Sequence, residues 1–176
     1  MNLEIKSQIE PNAEIFNLVK DIKPPITLEI LKNLQNIMFS KLEIHPYNEK
    51  TKDHERIIRW KRTASQILKD GYVYEGKACT DLVILFMSMC KALELETRFV
   101  KVKKDSTVHS ITEIKLNDEW YIFNVSDKNS HPEKGEATEK SPFHKDWVLW
   151  KKGRDAWDLG LTGLDSIGKI QTNNNI

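Results

Sequence analysis

The sequence predicts an α+β domain in which a buried central helix packs on an antiparallel sheet, preceded by N-terminal helices. Three observations carry this. Residues 27–71 place apolar side chains at helical spacing, residues 79–93 are apolar almost all round, and residues 97–125 hold three segments rich in β-branched and aromatic residues. Helices followed by strands give segregated layers.

The chain has 176 residues, 39% hydrophobic and 30% charged, with 7 Gly and 6 Pro, enough to bury one core. That balance excludes a disordered or collagen-like chain. Lys and Arg number 27 against 26 Asp and Glu, a net charge of +1, so no global field draws the chain to nucleic acid or anionic lipid. No apolar run approaches the roughly 18–20 residues of a membrane span, and the first residues lack a signal peptide's apolar stretch. The expectation is a cytoplasmic protein with no membrane association and no nucleic-acid partner. One domain is expected over residues 1–170, with a helical part at 1–58, a core at 59–127 and a C-terminal packing element at 128–170. Residues 171–176, QTNNNI, form a flexible tail with almost nothing to bury.

Taken in order, Thr27 caps a helix carrying Ile30, Leu31, Leu34, Ile37 and Met38 on one face. A second helix is expected from near Asp53 to Gly71, with Ile57, Trp60, Ala64, Ile67 and Leu68 as its apolar side. Tyr72 to Gly76 read as a connector. The helix from Cys79 to Leu93 is too long for a buried strand and too apolar for a surface helix. Thr97 to Lys103 is the first strand, and Val108 to Leu116 and Glu119 to Val125 form a hairpin about Asn117-Asp118, residues that tolerate positive φ. Residues 130–145 read as a loop, after which Trp147, Trp150 and Trp157 mark a last element that packs back on the body.

The hairpin permits a geometric inference. With a two-residue turn Leu116 faces Glu119, so the numbers of opposite partners sum to 235 and His109 becomes a diagonal neighbour of Asn124. A three-residue turn or a bulge would bring Asp127 to that face instead. Cys79 opens the central helix, where unpaired N–H groups and the positive end of the helix dipole favour a thiolate. A thiolate there can attack a carbonyl, His109 can hold and return the proton, Asn124 can orient the imidazole, and helix N–H groups can hold the oxyanion. Taken singly, Cys79 reads as a packed thiol and His109 as a strand histidine; Cys90, in mid-helix, has none of these advantages.

Together, Tyr74-Glu-Gly-Lys-Ala-Cys79-Thr-Asp, the apolar helix, Thr97-Arg98-Phe99-Val100, His109-Ser110-Ile111 and Trp120-Tyr-Ile-Phe-Asn124 resemble the transglutaminase-like domain of the papain-like cysteine superfamily. The resemblance spans about residues 60–127. It implies a papain-like/transglutaminase-like core with Cys79 as nucleophile, His109 as general base and Asn124 as third residue. Asn stands where the family more often has Asp, as in papain-like enzymes, Glu94 replaces a frequent Gly, and Asn124-Val125-Ser126 replaces Asp-Pro-Thr. The implied function is a cysteine-dependent acyl-transfer enzyme that cleaves peptide or protein amide bonds through a thioester. Water would make it a peptidase or amidase, the better expectation for one small domain; an amine would make it a transglutaminase. The alternative is a transglutaminase-like binding or scaffolding module without activity. Gln66, Tyr72 and Tyr74 precede the nucleophile as candidate oxyanion or cleft residues.

Other features favour plainer readings. Arg56 to Arg62, RIIRWKR, reads as the solvated face of an amphipathic helix rather than a nucleic-acid stripe. Histidines 45, 54, 109, 131 and 144 lack metal-ligand spacing, so no metal and no cofactor are assigned. The tryptophans near the C-terminus read as packing before they read as a cleft wall.

Overall fold

A computed structural model describes residues 7–139, 146–166 and 168. The expected tail at 171–176 and part of the loop at 140–145 lie outside them.

Two short helices come first. α1 (Ala13–Val19) is capped by Asn12, whose side chain accepts from the Ile15 N–H, and α2 (Leu28–Ser40) by Thr27, which accepts from the Ile30 N–H. Leu31, Leu34 and Met38 of α2 are buried, as the periodicity predicts. β1 (Glu43–His45) follows. The helix expected from Asp53 to Gly71 is two helices, α3 (Lys52–Ile58) and α4 (Ala64–Asp70). The break has a local cause: Trp60 adopts φ of 60°, and Thr63 with Gln66 forms a capping box that starts a new helix. Ile57, placed on the apolar face by one continuous helix, is 63% exposed. Gly71, in the left-handed conformation at φ of 72°, ends α4. The expected connector contains a strand, β2 (Tyr72–Tyr74), which pairs in parallel with β1.

The central helix α5 (Cys79–Ala92) buries a continuous run from Leu82 to Cys90. It packs against β3 (Thr97–Lys104) and β4 (Thr107–Leu116) on one side and against α1, α2 and α4 on the other. β5 (Glu119–Phe123), β6 (Glu133–Lys134) and β7 (Val148–Gly153) complete an antiparallel sheet of order β6-β5-β4-β3-β7. Thus the loop expected at 130–145 includes an edge strand, and the last element joins the sheet beside β3. A short 3-10 helix, Leu164–Ser166, follows.

The hairpin register is the expected one: Leu116 pairs with Glu119 and Thr112 with Phe123, with Asn117 and Asp118 at φ of 51° and 64°. Side chains alternate, so Phe99, Ile114 and Phe123 join the core under α5, while Val100, Val102 and Ile111 form a second cluster with Ala137 and Trp147. Phe86 and Phe123 meet edge to face at 5.4 Å between centroids, pinning helix to sheet.

Both ends of the described chain close on the Trp60 turn. Gln8 Nε2 donates to the carbonyls of Trp60 and Arg62, at 3.1 and 3.0 Å, and Trp157 Nε1 donates to Trp60 O at 2.8 Å. Asp155 in turn accepts from the Gln8 N–H at 2.9 Å.

Candidate active site

Cys79 is the first residue of α5, and no side chain caps this helix end. The first N–H groups of the helix are left without intrahelical partners beside it. Cys79 is half-buried, whereas Cys90 is fully buried. His109 lies on β4 beyond the last β4–β5 pair, so its ring extends past the edge of β5 toward the residues that follow that strand. There His109 Nε2–H donates to Asn124 Oδ1 at 2.8 Å. Asn124 is 8% exposed, and Ser126 Oγ donates to the same oxygen at 3.0 Å.

His109 also stands beside Cys79, close enough to act on its thiol. With Nε2 held by Asn124, Nδ1 is the ring nitrogen left for the sulfur. Burial opposes the Cys79 thiolate, but the His109 hydrogen bond, the charges of Lys101 and His109 and the Ser110 N–H outweigh it and lower the thiol to about 5. Burial pulls His109 down, and the hydrogen bond and charge of Cys79 with the Asn124 contact more than restore it, so its pKa is raised. The pair is thus set as thiolate and imidazolium. Cys90, with burial alone acting on it, is pushed well above the ordinary thiol range.

The structure brings Cys79, His109 and Asn124 together and leaves Asp127 outside: its side chain accepts from the Asn129 N–H at 2.9 Å in a local turn. The loop holding Asn124 is fixed from α2, where buried Gln35 donates through Nε2 to Val125 O at 3.0 Å and Asp127 O at 2.8 Å. Gln66 does not serve as expected. Its side-chain oxygen accepts from the Thr63 N–H and hydroxyl, and the residue stands exposed at the α4 cap. Tyr74 is buried, its hydroxyl 2.8 Å from His54 Nδ1, and it lines a small cavity with Arg59, Trp60, Lys77 and Asp81. Tyr72 stacks on His45 at 4.5 Å.

The tryptophans divide. Trp147 lies 5.8 Å from the His109 ring and walls that side, while Trp150 packs on the main core and Trp157 holds the Trp60 turn. The basic stripe is also not what its pattern implies. Arg62 is 4% exposed and joins Asp81 at 2.6 Å and Asp70 at 3.0 Å, and Arg59 pairs with buried Glu55. Sequence reasoning missed Lys101, which is 1% exposed; Ser126, opposite His109 in the expected register, has its Oγ 3.5 Å from His109 Nε2. Period two along β3 puts Lys101 on the face of Phe99, and a charged residue on that face was the available signal.

A half-buried cysteine at a helix start, a strand histidine and an amide hydrogen-bonded to it thus fall within one stretch of the chain. Residues 17–125, which contain all three, match the core model of the Transglutaminase-like superfamily, and the chain belongs to that superfamily. A search of curated proteins returns no match. Among solved structures, the chain is similar to one described as a putative cysteine protease from Cytophaga hutchinsonii, with a TM-score of 0.56 at 15% identity. The likeness covers 88% of this chain and 48% of that one, so this chain spans about half its length. Among the described residues no helix is long and apolar enough to cross a membrane.

Proposed function

We propose that the protein is a cysteine-dependent acyl-transfer enzyme acting on amide bonds, with Cys79 as nucleophile, His109 as general acid and base and Asn124 as the residue that orients the imidazole. The observation that carries this is the His109 ring, held by Asn124 Oδ1 at 2.8 Å beside the cysteine that opens α5; its neighbourhood lowers that thiol to about 5. The thiolate adds to the carbonyl carbon. The first N–H groups of α5 stabilise the oxyanion, and the His109 imidazolium gives its proton to the departing amine as the thioester forms. Neutral His109 then takes a proton from water or an incoming amine, which attacks the thioester and returns the thiolate. Water yields a peptidase or amidase reaction; an amine yields transamidation.

The test is acylation by p-nitrophenyl acetate followed by intact-mass analysis. An acetyl adduct on Cys79, absent in Cys79→Ala, slowed in His109→Ala and retained in Cys90→Ala, supports the assignment. An adduct on Cys90, or one indifferent to His109, refutes it.

A further inference from the structure

Beside the proposed triad sits a charge that the mechanism above leaves unused. Lys101 is buried at 1% exposure, and its ammonium lies between the neighbours of the two reacting residues. Nζ donates to Ser110 Oγ at 2.8 Å, next in sequence to His109, and stands 3.4 Å from Thr80 Oγ1, next to Cys79. Those two hydroxyls are themselves 2.9 Å apart. Nζ also sits 4.8 Å from the centre of the Trp60 ring, on the turn that Gln8 and Trp157 clamp in its positive-φ conformation. Across from it, the β3–β7 register shifts between Lys101 and Val102, leaving Trp150 as the extra residue on β7.

A buried ammonium costs several kcal/mol unless it is paired. The carboxylates nearby are engaged: Asp81 with Arg62, and Glu55 with Arg59. Among the described residues no ion pair to a carboxylate is formed by Lys101. The anion left for it is the Cys79 thiolate. We propose that Lys101 is a positioning residue, a fixed buried cation that stabilises the Cys79 thiolate through space and is itself held in place by Ser110, Thr80 and the Trp60 ring. This rests on the acyl-transfer reading, in which Cys79 reacts as a thiolate.

The charges facing Cys79 are Lys101 from β3, His109 from β4, Asp81 on α5 itself, and, farther off, Arg59, Arg62 and Glu55 from the α3 side. Burial pulls the Lys101 ammonium below its usual range, Cys79 pushes it back up, and Arg59 lowers it. Lys101 acts oppositely on the two members of the pair, attracting the thiolate and repelling the imidazolium, so it lowers both. Its removal has a signature that mere loosening of the site lacks. Loss of Cys79–His109 contact would raise Cys79 and lower His109, whereas loss of the Lys101 charge raises both.

The experiment compares wild type, Lys101→Met and Ser110→Ala. The pH dependence of iodoacetamide labelling at Cys79 is read by mass spectrometry, and His109 is titrated by NMR. Lys101→Met is expected to raise the Cys79 midpoint by at least one unit from about 5, a loss in labelling rate of about fivefold at pH 5, and to raise His109 as well. Ser110→Ala, which frees the ammonium without deleting it, should move both midpoints the same way by less, and it decides the matter if Lys101→Met fails to fold. Unchanged midpoints, or midpoints moving in opposite directions, overturn the role of Lys101 alone. A wild-type Cys79 midpoint near the ordinary ~8.5 refutes the acyl-transfer reading and this inference with it.

Discussion

Replacing Asn124 by Asp adds one negative charge and almost no volume at the atom that holds His109. Asn124 Oδ1 stands 2.8 Å from His109 Nε2. At that distance and an effective dielectric of 20, the new carboxylate attracts the imidazolium by about 6 kcal/mol before the cost of desolvating it is subtracted. At 8% exposure that cost is substantial, and carboxylate–cation pairs of this kind commonly shift a titration by about 1–3 units. The direction is fixed whatever the offset: the His109 midpoint, already raised by Cys79 and the Asn124 contact, rises further. Cys79 also rises, by less, because the new anion repels the thiolate from the far side of the ring. Ser126 Oγ, 3.0 Å from the same oxygen, keeps its acceptor. The assay is an NMR titration of the five histidines, with His109 identified by the signal missing in His109→Gln. A His109 midpoint that stays or falls in Asn124→Asp would mean that residue 124 does not hold the ring, and the proposed triad would lose its third member.

Other outcomes follow from the same geometry. Folded Cys79 titrates at about 5, below its unfolded value, so its contribution to stability is lost as pH falls through 5; His109, raised, contributes below its unfolded 6.5 and loses that as pH rises through its folded value. For the coupled pair, stability should climb by about 2 kcal/mol between pH 5 and 6.5 and then level off as the His109 loss offsets the Cys79 gain, a profile that urea unfolding should find flattened in Cys79→Ala. Asp81→Ala leaves buried Arg62 with only half-exposed Asp70 as its carboxylate and should cost about 3–5 kcal/mol, most of it recovered in urea melts when Arg62→Leu is added. Phe123→Ala empties a fully buried site against Phe86 and should cost about 3–5 kcal/mol, read as a lower urea midpoint with unchanged slope.

What the sequence showed and what it hid both have physical reasons. The Asn117-Asp118 turn fixes a register, and a register carries every later pair with it, so the approach of His109 to Asn124 was legible from a two-residue signal. The apolar circumference of residues 79–93 announced a buried helix, and with it the place of Cys79 at its start. The helix at 53–71 was misjudged because α3 and α4 run on with a compatible period. The Thr63-x-x-Gln66 box that separates them was present in the sequence, and it also explains why Gln66 has no place in the cleft. The pairings of Arg62 and Lys101 were beyond periodicity. They depend on which residues from four different elements converge, and a basic stripe looks the same whether its members face water or a buried aspartate.

The clasp at the Trp60 turn has a bearing on how the site comes into being. Gln8 meets Asp155 across a separation of 147 residues, so the turn that presents the Trp60 ring to Lys101 is closed by the two extremities of the described chain. Contacts of such range form late, after the loop-closure entropy of that 147-residue separation has been overcome. During synthesis α5 and the hairpin can assemble as soon as they emerge, but the clasp waits for residue 157. A growing chain is therefore expected to gain the Lys101 contribution to Cys79 only when residue 157 docks, chains halted before residue 155 labelling more slowly at pH 6 than longer ones.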